Sequence, residues 1–422
     1  DIFKLISLIL SGELEKVKGI NAKAKVPFLD YYEKLLFDLL RSACQKLDVP
    51  IVRKAFWPYG KKFALCLTHD VDEVKKTYQY FTRFIKHIKK FEIRQAWYHF
   101  KTLFTDRLFR RNPYWTFDEI MRLEEKLYVR STFFFLQETA KVNIFDPSTW
   151  HHYARKYSFK DPSISKIIKT LKSGGWEVGL HGSYWSYLDE KKLKEEKDSL
   201  EEVLGDRVYG IRQHHLNLKI PETWQYQEKI GLEYDTSLGL KGGDIGFRWG
   251  TCFPFHPHVN GRELSLLEIP LTIMDVSITP DLDSWKECIN AINNVENYGG
   301  VLTLLWHHVT FNNMEYPGWT HIYKKIIELC KEKNAWITNA HNISRWWKAR
   351  ESGTLSYEYQ DGVLRITINS KISENFLEIY LPHNRKILIT TSDVKIINKD
   401  LDRVTLRVKT SGLRKEIFLE VV

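Results

Sequence analysis

Four short stretches of this 422-residue chain place ionisable side chains at spacings that could do chemistry. THDVD (68–72) carries Asp70 and Asp72. They are two residues apart, so on an extended chain both carboxylates point the same way. WEVGLHG (176–182) carries His181 at the end of a strand-like run. GIRQHH (210–215) carries Arg212, His214 and His215, and LLWHH (304–308) carries His307 and His308. Two carboxylates beside a histidine can divide labour, one holding a cation and the other accepting a proton. One carboxylate with two imidazoles suits a metal such as zinc and leaves a position for water. Arg212 could pair with a buried carboxylate and hold it ionised. Four residues after His181, where a second histidine would complete a metal pair on one helical face, stands Trp185. Each stretch alone also has a plain structural reading, as a surface turn or a satisfied core histidine.

What joins them is position, because each follows an apolar run. FALCLTHD (63–70), VRSTFFFL (129–136), WEVGLHG, VYGIRQHH (208–215), LSLLEIPLTI (264–273) and GGVLTLLWHH (299–308) all read as strands. Amphipathic stretches such as LDEKKLKEEKDSLEEVLG and HIYKKIIELCKEKN lie between several of them. This β-then-α alternation predicts an α/β fold with a parallel sheet or barrel over 59–350. In such folds active sites gather at the carboxyl ends of the strands. The STFFF strand end is expected to supply core and wall, with no catalytic group. Residues 1–58 read as a helical segment, from LDYYEKLLFDLLRSACQKL. Residues 353–422 alternate apolar and polar positions between turn residues, which predicts a small antiparallel β-sandwich.

Composition bounds the rest. No apolar run reaches the about 18 residues of a membrane span. DIFKLISLILSGE lacks the basic start and small-residue cleavage site of a signal peptide. A cytoplasmic or membrane-peripheral protein is expected, and an Asp at position 1 is compatible with a segment upstream. Five scattered cysteines without a CxxC point to buried reduced thiols rather than a cysteine zinc site. Net charge is +10, and residues 73–112 alone hold 11 Lys/Arg against three acids, interleaved with aromatics. Either this segment meets an anionic glycan or a membrane face, or it is a solvated helical insertion whose aromatics pack inward. No nucleic-acid motif accompanies the charge, so nucleic acid is not an expected partner.

In the order and spacing of these motifs, residues 60–350 resemble the polysaccharide deacetylases of carbohydrate esterase family 4, the NodB-homology group. LHGSY, GIRQHHL, EYDTSLG, GFRWGTC and LLEIPLTIMD are closest to a branch associated with surface polysaccharides. The resemblance implies a distorted (β/α)7-type barrel and a divalent metal, zinc first. The implied substrate is an N-acetylated glycan, a polysaccharide or a lipid-linked intermediate. It implies Asp70 as general base, Asp72 and His181 as metal ligands, Arg212 as the group that tunes Asp70, and His307 as general acid. Trp185 departs from the family pattern, since indole cannot ligate. His214 is the best replacement ligand, with His215 and His69 behind it. Trp185 and Tyr184, with Trp306, could offer sugar-stacking surface, or Trp185 could simply pack beside Tyr184 and Tyr187. Asp235 and Arg248 either line the same cleft or make structural hydrogen bonds. Two other functions fit the motifs: a non-catalytic glycan-binding module on a degenerate scaffold, and a C–N hydrolase of a small amide.

Overall fold

The computed structural model describes residues 2–11, 13, 23–143, 145, 149, 151–241, 244–279, 281–389, 391–410 and 412–422. Helices α1 (Ile2–Leu10) and α2 (Phe28–Lys46) come first, then strand β1 (Ile51–Lys54). The central sheet holds β2 (Ala64–Val71), β3 (Thr132–Leu136), β4 (Glu177–Gly182), β5 (Gly210–Gln213), β6 (Tyr234–Asp235), β7 (Leu267–Glu268), β8 (Ile273–Met274), β9 (Val301–Leu305) and β10 (Trp336–Thr338). Its order is β7-β6-β5-β4-β3-β2-β9-β8, with β10 beside the first half of β2, and all its ladders are parallel. Every residue of β2, β3, β5 and β9 is buried, as expected for strands covered on both faces.

The sheet curls until its edges meet. Residues 269–272 tie them together: the Ile269 and Leu271 amides donate to Asp235 and Leu238, and the Thr272 amide donates to Thr303. The result is the expected distorted barrel, with nine strands where the resemblance implied seven. Three of the nine are only two residues long. Helices pack outside, around a core that includes Leu65, Leu67, Phe133, Phe135, Ile168 and Ile326.

Two helices, α3 (Gln79–Lys89) and α4 (Ile93–Leu108), form a hairpin inserted after β2. Beyond residue 353 lie two four-stranded antiparallel sheets around a shared apolar core. One of them borrows β1, which pairs antiparallel with Glu374–Tyr380. This corrects the reading of 1–58 as wholly helical. Ile51 and Val52 are β-branched, and Val52 buries its side chain in the C-terminal core. All five cysteines are free thiols. Among the described residues no helix is long and apolar enough to cross a membrane.

Candidate metal and acid–base site

Parallel strands put all their carboxyl ends at one mouth, and the side chains that could do chemistry converge there. On β2 the pleat sends Thr68 and Asp70 to one side and His69 to the other. Thr68 and Asp70 both accept hydrogen bonds from Arg212 Nη1, each at 2.8 Å. His69 is fully buried in the outer layer, between Glu124 (2.9 Å) and the Trp306 carbonyl (2.8 Å), so it is no reserve ligand.

Asp72 lies just past β2, His181 near the end of β4, and His214 directly after β5. Their ligating atoms all lie within 4.8 Å of one another. His181 Nδ1 donates to the Arg212 carbonyl at 2.8 Å, which leaves Nε2 as the lone-pair nitrogen facing Asp72 Oδ1 at 3.2 Å. Gly182 makes this strand approach feasible, since a Cβ there would sit 2.3 Å from Gln213 Oε1. His214 opens a tight turn in which His215 and Leu216 have φ of 56° and 53°, conformations that cost energy and recur at functional sites. The turn aims His214 inward and sends His215 outward to Arg155, 3.3 Å away. Asp72 Oδ1 and both ring nitrogens of His214 are buried and make no well-formed hydrogen bond, although His181 Nε2 approaches Asp72 Oδ1 (3.2 Å) and Glu138 approaches His214 Nδ1 (3.3 Å). Buried polar atoms are seldom left so, and a carboxylate with two imidazoles is a donor set that fits a divalent cation. These residues can therefore hold one.

Two further pairs flank this trio. Arg212 is fully buried, and it also donates to the Thr236 carbonyl at 3.1 Å and lies 4.8 Å from the Phe134 ring centroid. Burial pushes the Asp70 carboxyl up, but the Arg212 guanidinium, helped by His181 and His307, holds it below the usual carboxylate range. On the opposite side stands His307. Its Nδ1 and its amide both meet Asp275, each at 2.7 Å. Burial would lower the imidazole, yet the Asp275 carboxylate outweighs it and pushes it up to about 10. His308, one residue on, turns into the core against Phe117, where burial takes it down to about 4.

Asp275 and Glu138 were not singled out from sequence. Glu138 stands two residues beyond β3, at the strand end expected to carry no catalytic group. Its Oε2 lies 3.3 Å from His214 Nδ1. Burial raises that carboxyl and His214 lowers it, leaving it at about 2. Arg155, 3.7 Å from Asp72, completes the surround. The only sequence signal for these three was that Glu138 and Asp275 each follow an apolar strand.

The expected substrate contacts divide. Trp185 is 51% exposed and edge-on to Tyr184, whose ring also meets His214, so both lie beside the mouth. Trp306 is a correction: it is fully buried against Tyr323, because the pleat that sends His307 to the mouth sends Trp306 to the core. Asp235 is another. It is fully buried, accepts from Ser237 at 2.5 Å and is raised by burial beside Glu268. Arg248 donates to the Gly239 carbonyl at 3.4 Å. Asp70, Asp72 and His307 open into a cleft of about 250 Å³ walled on one side by Gln79 and Arg83 of α3. What the arrangement can do chemically is hydrolysis assisted by a cation, with a carboxylate on one side to take a proton and an imidazolium on the other to give one.

No protein-family model matches the sequence, and no curated protein matches it. Solved structures do. A Mycobacterium smegmatis protein assigned as a polysaccharide deacetylase has 17% identity and a TM-score of 0.47, over 71% of this chain and 94% of that one. The PuuE allantoinase has 15% identity and a TM-score of 0.46, over 70% and 94%. A carbohydrate esterase family 4 pseudoenzyme from Bacillus anthracis has 12% identity and a TM-score of 0.34, over 68% and 66%. Similarity at this level carries no chemistry of its own.

Proposed function

We propose that the protein is a metal-dependent deacetylase that removes N-acetyl groups from an amino sugar in a polysaccharide or lipid-linked glycan. The observation that carries this reading is the convergence of Asp72, His181 and His214 between two separately supported proton-transfer groups, Asp70 on Arg212 and His307 on Asp275. A divalent ion held by Asp72, His181 and His214, with zinc the best match to the donors, would supply Lewis acidity and lower the pKa of water. Asp70, kept ionised by Arg212, accepts the proton from the attacking water. His307, kept charged by Asp275, gives a proton to the leaving amine nitrogen as the C–N bond breaks. Tyr184 and Trp185 border the sugar.

A retired, glycan-binding scaffold was an alternative because the second histidine of the motif is missing. The support for an enzyme is that His214 approaches from another strand end while both proton-transfer pairs keep their partners. The test is acetate release from N-acetylhexosamine oligomers by protein stripped with chelator and then resupplied with zinc. Metal-restored release is expected. No release from any N-acetylated oligomer with metal restored would sink the reading, and turnover of a small cyclic amide instead would establish the competing hydrolase.

A further inference from the structure

The hairpin of α3 and α4 is built with its polarity reversed. Its inner side is polar. Lys76, just before α3, meets Glu315 at 2.5 Å and His99 at 3.1 Å, and Tyr80 donates to Asp106 at 2.8 Å. Arg83 pairs with Glu315 at 3.3 Å. On α4, Ala96, His99 and Asp106 are the buried positions. The outer side is apolar. Ile93, Trp97, Phe100, Phe104 and Leu108 recur at intervals of three or four, so they form one stripe along the whole helix. Their exposures are 63, 62, 41, 59 and 76%. Trp97 stacks on Phe100, and Phe104 meets Phe100 edge-on, so the stripe is continuous. Phe91, at the hairpin tip, is 87% exposed.

The charge around the stripe is predominantly basic. Lys86, Lys89, Lys90, Arg94, Lys101 and Arg107 are all exposed. Arg94 and Lys101 each follow a stripe residue by one position, about 100° round the helix, and so flank it. The acids are few and paired: Glu73 accepts from Gln79, buried Asp106 accepts from Tyr80, and the partly exposed Glu92 pairs with His87. A second copy of this face would bring like charges together. A soluble anionic glycan would answer the charge and leave the aliphatic ends of the stripe wet. An anionic bilayer answers both, taking the aromatics at the headgroup–acyl boundary and the bases among the lipid phosphates.

We infer that the α3–α4 hairpin is a docking surface for an anionic lipid bilayer. The same α3 supplies Gln79 and Arg83 to the wall of the cleft, so docking seats the cleft at headgroup level. Taken with the deacetylase reading, on which this last step rests, the substrate is an N-acetylated sugar carried by a membrane lipid.

The test is flotation of the full chain with phosphatidylcholine vesicles, with and without phosphatidylglycerol. It needs no turnover, so it fails or succeeds independently of acetate release. Binding to the anionic vesicles, weakened by salt, is expected. Two triple variants, Trp97→Ser with Phe100→Ser and Phe104→Ser, and Lys89→Glu with Lys90→Glu and Arg94→Glu, should each bind at least about tenfold more weakly, given roughly 1 kcal/mol per basic residue at the surface. Their far-UV circular dichroism should match that of the parent. No flotation of the parent with anionic vesicles overturns the inference, whatever the variants do. So does equal binding by parent and variants. A dimer that the variants dissolve, or hairpin-dependent binding to a soluble anionic polysaccharide without vesicle binding, would assign the face to another partner.

Discussion

The barrel and the hairpin inserted after its first strand use aromatic residues in opposite ways. In the barrel, Phe133, Phe134, Trp224 and Trp306 are fully buried. In the hairpin, Lys76 pairs with Glu315 of the barrel and Tyr80 with Asp106 between the helices, while Trp97, Phe100 and Phe104 are exposed beside a row of exposed bases. Each exposed aromatic forgoes roughly 1.5–3 kcal/mol that burial would have contributed. A fold does not need that arrangement, so the difference separates residues that hold the molecule together from residues that wait for a partner.

The largest expected effect concerns the mouth. Asp70→Asn leaves an acceptor for Arg212 but removes the base, so turnover should fall by about 10²–10⁴ while circular dichroism still reports the fold. Undiminished acetate release would remove Asp70 from the chemistry. Next comes the direct contrast between the two regions. Trp306→Ala empties a core site and should cost about 3–5 kcal/mol in denaturant unfolding. Trp97→Ala should stay within about 0.5 kcal/mol of the parent. Similar losses for the two would erase the distinction drawn between them.

A smaller effect tests the acid. Asp275 raises the His307 imidazole to about 10, so His307 stays protonated until high pH. Without that carboxylate its pKa drops and the protonated form is lost at lower pH. Asp275→Asn should therefore move the alkaline limb of the pH–rate profile to lower pH, with activity down about 10–100-fold. An unmoved limb would mean that another group donates the proton. The smallest effect is at the rim, where Trp185→Ala should raise KM by roughly two- to tenfold and leave stability alone.

Much of the fold could be read from the sequence because buried parallel strands are continuous apolar runs, and those runs end in the residues of the mouth. Local pattern did not tell which side of each strand faces the mouth. His69 and Asp70, or Trp306 and His307, are neighbours with opposite fates, and only closure of the sheet decides between them. That is why Trp306 was expected in the cleft. Glu138 and Asp275 escaped notice for a different reason: each matters through an imidazole supplied by a distant strand. β1 was taken for helix because its partner strand lies more than 300 residues away. In the hairpin, sequence gave the charge and the aromatics, but inward packing and outward display have the same composition.

In the deacetylase reading, His214 takes the ligand place that the indole of Trp185 cannot fill. Zinc titration of chelator-stripped protein, followed by calorimetry with His214→Ala alongside, tests it directly. Asp72 and Glu138 raise the His214 imidazole against the opposing effect of burial, so a cation must displace its proton. One tight site is expected in the parent, with affinity that falls as pH drops and protons released on binding. In His214→Ala that site should weaken by at least about 10²-fold, the upper end of what losing only an outer-shell partner costs. Equal zinc affinity in the two proteins, or no zinc site in the parent, would contradict it.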